Sequence, residues 1–168
     1  MASTGETLGR RQVLKGLGVL ACLTGPADAL AREYSSPVEV FDEIDRLEAD
    51  VMARLVAIAR TVAATSPFVR AVEAVHARHR QERTRLRKRL RLPPSVDRPE
   101  ATADKDLKAL RDVQQDLVHA HAEGLPAIGD ASAVEVLAGH MVTLASQLTV
   151  IDLWIEAEEE RGGGTANQ

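Results

Sequence analysis

The chain has 168 residues, a formal net charge of −4 at neutral pH and a single cysteine. That length supports one domain with a core. The acidic balance excludes a nucleic-acid binder working through overall basic charge, and one cysteine excludes a disulfide framework.

Gly9-Arg10-Arg11-Gln12-Val13-Leu14-Lys15 begins a basic segment. An apolar run from Leu14 to Leu23 follows, then Pro26 and the small-residue site Ala29-Leu30-Ala31. Charged start, apolar middle and small-residue end are the three parts of a secretory signal. The segment resembles a twin-arginine (Tat) export signal, with Val13 where that family more often has Phe and Gly9 where Ser or Thr is usual. The resemblance implies a cleaved signal peptide over residues 1–31, recognition by the Tat translocation machinery, and a periplasmic or secreted product exported already folded. Val19-Leu20-Ala21-Cys22 also resembles a lipobox, and lipidation of Cys22 would make the product an anchored lipoprotein. Cleavage after Ala31 takes 31 residues from 168, leaving 137 without a thiol, and hence without Cys-ligated zinc, iron–sulfur or c-type haem chemistry. It also takes Arg10, Arg11 and Lys15 against Glu6 and Asp28, a net +1, so the remainder carries −5. The apolar run of about ten residues falls short of the ~20 that span a bilayer, and no later segment is expected to span one.

After a linker over residues 32–37, apolar residues recur at three-and-four spacing in four blocks. The first is Val40, Ile44, Leu47, Val51, Leu55, Ile58 and Val62; the second is Val69, Val72, His76, His79, Arg83, Leu86 and Leu90. The third is Leu107, Leu110, Val113, Leu117, His121 and Leu125; the fourth is Val134, Leu137, Met141, Leu144, Leu148, Ile151 and Ile155. Few aromatics and an abundance of Ala, Leu, Val, Arg and Glu favour helix, and no stretch alternates long enough for a strand. Ser66-Pro67 starts the second helix and Pro93-Pro94 ends it, with Asp97-Arg98-Pro99 continuing the loop. Gly124, Pro126 and Gly129 separate the third helix from the fourth, which Asp130 or Ser132 caps. Gly162-Gly163-Gly164 closes the fourth. The expected fold is an all-α four-helix bundle over residues 38–161 with a disordered tail over 162–168; its size and class are compatible with a homo-oligomer.

Charge and reach suggest the topology. The second helix ends basic (Arg83, Arg85, Arg87, Lys88, Arg89, Arg91), the first begins acidic (Glu39, Asp42, Glu43, Asp45) and the fourth ends acidic (Glu156, Glu158, Glu159, Glu160). An up-down-up-down order puts all three segments at one pole. A second loop of about ten residues reaches at most ~34 Å, against a helix of ~36 Å, which also argues for that order.

Histidines break the apolar seam. His76 and His79 occupy successive core positions of the second helix, His121 lies on the inward face of the third, and His140 sits beside Met141 on the fourth; His119 points away. Counting ~1.5 Å per residue in the expected topology puts His76, His121 and His140 at similar heights, with Glu73 near them and His79 and Glu48 next. Imidazoles and carboxylates converging inside a bundle are how such folds build metal sites. Glu48 also falls level with Arg83 on the adjacent helix, which predicts a buried salt bridge.

Glu73-Ala74-Val75-His76 resembles the Glu-x-x-His element of the ferritin-like di-iron proteins, in which two helices each supply that motif, two others each supply a Glu, and a long crossover joins the second and third helices. The resemblance implies metal storage or redox chemistry on a transition metal such as iron, with Glu73 and His76 as ligands and Glu48 as the carboxylate of the first helix. His121, His140 and His79 complete the candidate set. In place of a second Glu-x-x-His the fourth helix offers Glu135 and His140, five apart, and the third offers His121 and Glu123. A run from Val75 to Leu90 more weakly resembles the His- and Arg-rich helix of the CHAD polyphosphate-binding domains, which would imply polyanion binding. The remaining alternative is a non-catalytic interaction bundle in the cell envelope whose histidines are packed polar core. No nucleophile constellation or phosphate loop is present, so catalysis itself is left open.

Overall fold

The structure, a computed structural model, describes residues 33–59, 67–95 and 106–163, with side chains to 160. The expected signal peptide, Ser66, Val62 and Asp97-Arg98-Pro99 lie outside the described residues. Among the described residues all regular structure is helical. It comprises α1 (Pro37–Ala59), α2 (Pro67–Arg89), α3 (Leu107–Gly124), a 3₁₀ turn (Leu125–Ala127) and α4 (Ala131–Gly163). The four seams read from periodicity are the ones that pack. Val40, Ile44, Leu47, Val51, Leu55 and Ile58 of α1 meet Leu110, Val113 and Leu117 of α3 and Leu137, Met141, Leu144, Leu148 and Ile151 of α4 in one core.

The ends have local causes. Asp106 is extended and accepts from Lys108 N–H at 2.9 Å, which fixes the start of α3. Asp130 accepts from Ala133 N–H at 2.8 Å and so is the cap of α4. Beyond α2, Arg91 takes a left-handed conformation with φ 56°. Leu92 N–H then donates to Arg87 O (2.9 Å) and Arg91 N–H to Lys88 O (3.2 Å), the paired closing bonds of a Schellman motif. The helix thus stops before Pro93-Pro94. α4 runs to Gly163, within the glycine run expected to close it and two residues past the expected bundle boundary at 161; residues 164–168 of the expected tail lie outside the described residues.

The expected up-down-up-down order is not the one the contacts give. Arg83 and Arg87 of α2 bond to Asp45 and Asp42 of α1, so later residues of α2 meet earlier residues of α1 and the two helices are antiparallel. Gly124, the last residue of α3, lies against Val40 at the start of α1, so α3 is antiparallel to α1 as well. Gln114 reaches Gln147 and Lys108 reaches Glu159, making α4 antiparallel to α3. The order is up-down-down-up, with α2 and α3 parallel. α1 packs on α2 and α3, and α4 likewise, so α1 stands across from α4 and α2 across from α3.

Two sequence inferences fail here, for identifiable reasons. The connection from α2 to α3 is longer than about ten residues: 17 residues, 90 to 106, separate Arg89 from Leu107. Fully extended they reach roughly 55–60 Å, enough to join opposite poles of a 23-residue helix about 35 Å long. The acidic end of α4 therefore lies away from the basic end of α2. Glu159 pairs with Lys108, while Arg89 pairs with Asp130 at the start of α4. The expectation that no later segment could span a bilayer also needs correction, because Ala131–Glu160 is long and apolar enough by length and composition. Here that helix supplies the core with Leu137, Met141, Leu144, Leu148 and Ile151, and keeps Val142, Val150 and Leu153 exposed.

Gly124 lets α3 pack closely on α1: a Cβ there would overlap the Val40 side chain. Gly139, inside α4, has open space around the same position. Gly124→Ala should lower stability in urea by about 1–3 kcal/mol through overpacking. Gly139→Ala should raise it by about 0.5–1 kcal/mol through helix propensity. Equal effects of the two substitutions would contradict the α1–α3 packing described.

Candidate metal-binding histidine cluster

The site grows out of an ion-pair ladder between α1 and α2. Asp42, Asp45 and Glu48 follow one another at three-residue spacing on α1, facing Arg87, Arg83 and His76 of α2. Arg87 donates from Nη2 to Asp42 Oδ1 (2.6 Å) and Asp45 Oδ2 (2.9 Å), with its guanidinium 5.4 Å from the Phe41 ring centroid. Arg83 donates from Nε to Asp45 Oδ1 (2.8 Å) and grips Glu48 with both terminal nitrogens, Nη1 to Oε1 at 3.2 Å and Nη2 to Oε2. The predicted Glu48–Arg83 salt bridge is therefore present. Arg83 is 1 % exposed and Glu48 also 1 %. Burial pushes the Glu48 carboxyl up, but the His76 hydrogen bond and the Arg83 charge outweigh it and hold it down at about 2. The same carboxylate pair keeps Arg83 charged against its burial.

Glu48 Oε1 lies 3.0 Å from His76 Nδ1. An ionised carboxylate only accepts, so Nδ1 carries the proton and, in the neutral ring, Nε2 carries the lone pair. His140 Nε2 donates to Glu82 Oε2 at 2.7 Å, leaving Nδ1 as its lone-pair nitrogen. His121 Nδ1 donates to Leu117 O at 2.8 Å, leaving Nε2. His79 stacks face to face on His140, with centroids 3.8 Å apart and planes 17° apart. His76 lies 6.3 Å from His79, and His121 lies 6.1 Å from His140. The four rings thus form a file, His76–His79–His140–His121, crossing from α2 through α4 to α3. Burial holds His79 down at about 3, helped by the neighbouring His140, and holds His121 at about 3 despite its bond to Leu117. Burial lowers His140 too, against the pull of Glu82.

Of the six residues singled out from sequence, five meet here: His76, His79, His121 and His140 as the file, and Glu48 behind His76. Glu73 does not join them; it is half-buried, one turn before His76, and takes no part in these bonds. Glu82 was missed. It lies three residues after His79, a His-x-x-Glu spacing that places both on one face as surely as Glu73-x-x-His76 does. The basic run is also partly internal, since Arg83 and Arg87 are buried and Arg89 meets Asp130, which subtracts from the charge a polyanion would see.

His76 Nε2, His79 Nδ1, His121 Nε2 and His140 Nδ1 are all buried with no hydrogen-bond partner among the described residues. Four imidazole nitrogens facing inward are a donor set that suits a transition metal, and three have the opposite N–H already anchored, as metal-binding histidines do. The fit is incomplete in one respect: among the described residues no three His, Cys, Asp or Glu side chains stand in ligating positions. The stack contributes to this: with ring centroids 3.8 Å apart and planes 17° apart, the in-plane lone pairs of His79 and His140 do not converge on one ion.

No family profile matches this chain, and no curated protein or solved structure matches it.

Two predictions follow from the buried charges. Arg83→Met should cost about 3–5 kcal/mol in urea unfolding by stranding Glu48, and Glu48→Gln in the same chain should recover much of it; two additive losses would contradict the pairing. The second concerns pH. His121 is held at about 3 against an ordinary 6.5, so below about 6.5 the unfolded chain takes up a proton that the folded chain refuses. That contribution is complete above 6.5 and drains as pH falls toward 3. Glu48, at about 2 against 4.5, adds a further loss between those values. The urea midpoint of chelator-treated protein should therefore fall between pH 6.5 and 4.5, and fall less in His121→Asn, which keeps a donor for Leu117 O. An unchanged slope would assign the effect elsewhere.

Proposed function

We propose that this chain is an exported, ferritin-like helical-bundle protein that binds a transition metal within its inward His/Glu cluster. The observation that carries the reading is the set of four buried imidazole nitrogens without a hydrogen-bond partner among the described residues. Each such atom costs about 1–3 kcal/mol when nothing satisfies it; an ion would satisfy several at once. The parallel α2 and α3, joined across the bundle, support the ferritin-like part, because that family carries a long crossover at this point. The export part rests on Arg10, Arg11 and the apolar run after them. An ion held by both His79 and His140 would require the two rings to leave their stack. A bound metal would supply Lewis-acid or redox chemistry; the chain's own residues hold the imidazoles and their protons in place.

The stack also favours a second reading, an interaction bundle with a packed polar core. Metal analysis separates the two. Untagged protein purified from cells, measured by mass spectrometry, should carry about one equivalent of a transition metal, lost in His76→Ala and His140→Ala with helicity kept. Protein that stays metal-free after exposure to iron, zinc, copper and manganese, and whose variants change only melting temperature, would leave the interaction bundle.

A further inference from the structure

The outer face of α4 is apolar over most of its length. From Val136 to Ile151 the helix carries no Asp, Glu, Lys or Arg. Val142, Ser146, Thr149 and Leu153 follow one another at steps of four, three and four, so they share one side of the helix. All four are exposed, as is the flanking Val150, and Leu153 is 59 % exposed. The rest of the helix is already engaged. Leu137, Leu144, Leu148 and Ile151 lie in the core, Trp154 meets Phe68 of α2 edge to face, and Asp152 accepts from Arg111 of α3. The outward row is therefore a second seam, with the spacing by which one helix packs along another.

Charge at the two ends of α4 indicates what covers that seam. Its start lies beside the basic end of α2, through the contact of Arg89 with Asp130. There Arg85, Lys88 and Arg91 are exposed, with no salt bridge among the described residues. Its far end carries Glu156 and Glu160, exposed and equally without one. A second copy laid antiparallel, seam on seam, brings its acidic end to the basic end of the first, and two-fold symmetry forms that contact twice. A parallel pair would set acid against acid. Glu135, exposed near the basic end, offsets part of the attraction, one acid against three bases. A bilayer surface is the poorer match: helices that lie on membranes carry Lys and Arg beside their apolar face, and Ala131–Glu160 contains neither.

We propose that the outer face of α4 is a self-association surface, on which a second copy of this chain docks antiparallel in a two-fold dimer. Three aliphatic side chains make a short seam, so the interface sits at the small end of specific ones. The dimer is weak and leans on the charges at its ends, which salt screens.

Sedimentation velocity on the full chain tests this. At low salt it should show a monomer–dimer equilibrium with a dissociation constant of about 10–100 µM. Leu153→Glu should weaken it at least roughly 10-fold, by placing a charge in the seam. Arg85→Glu with Lys88→Glu should weaken it several-fold, and adding Glu156→Lys with Glu160→Lys should restore it. Orientation has its own readout. Nitroxides at position 132 of a Cys22→Ser, Ser132→Cys chain should lie roughly 40 Å apart in a dimer that crosses near Ser146, at ~1.5 Å per residue on each side. A monomer at every concentration, a dimer indifferent to Leu153→Glu, a fourfold charge reversal no tighter than the double one, or nitroxides within ~20 Å as in a parallel pair would each overturn the proposal. So would binding to anionic vesicles through Leu153 in place of self-association. If Leu153→Glu loses helicity by circular dichroism, Val142→Glu serves in its place.

Discussion

Everything at the centre of this bundle depends on one buried carboxylate. Glu48 is surrounded by protein and remains ionised against that burial because His76 donates to it and Arg83 grips both its oxygens. Neither group would be tolerable alone, since removing one strands the other in a low-dielectric interior. Together they fix the register of α2 on α1: Asp42, Asp45 and Glu48 meet Arg87, Arg83 and His76 in order, and a slip of one turn would break every rung. Because His76 hangs from the same carboxylate, the ladder that registers the helices also sets which His76 nitrogen faces inward.

The sequence makes the core legible because helical burial has a period, and the buried positions of α1, α3 and α4 recur at it. His76, His79 and Arg83 were legible for the same reason, as polar residues standing on apolar beats, and Arg83 pointed to Glu48 across the helix pair. Helix direction was not. Periodicity says which face of a helix is buried and nothing about which way the helix runs. The remaining clue, loop reach, turned on where α3 begins. Only the extended Asp106, whose side chain accepts from Lys108 N–H, marks that point, and Asp is common enough in loops to hide it. The charge argument misled for a related reason: the acids of α1 alone neutralise Arg83 and Arg87, so the acidic end of α4 was not needed at that pole.

The convergence of His121 with His140 is instructive, because it was expected from heights computed in the wrong topology. Reversing α3 moves His121 to within one turn of Gly124, which lies at the start of α1. The histidines still meet because α4 starts at that same pole, and His140 is a little over two turns along it. Residues near a short connection stay near each other whichever way the pair is oriented. The pairing of His121 with His140 was thus a property of the link between α3 and α4, not of the bundle order. His76 and His79 owe their place to α2 alone, running antiparallel to both α1 and α4. Glu73 shares a helix face with His76 by spacing, yet it is only half-buried and takes no part in the bonds that hold the file.

Net charge supplies the last step. The α1–α2 ladder holds three carboxylates, Asp42, Asp45 and Glu48, against two buried guanidiniums, Arg83 and Arg87. Arg80, 3.7 Å from Glu48, has a side chain 60 % exposed, so its charge is shared with water and offsets the balance only in part. At the other side of the file Glu82 is likewise shared between His140 and the exposed Arg78. The histidines lie between the ladder and Glu82, in an interior where burial first, and the Arg83 charge after it, keeps His79, His121 and His140 from taking protons. Protonating the stacked rings would also place like charges 3.8 Å apart, so repulsion between them adds to desolvation in keeping His79 and His140 neutral.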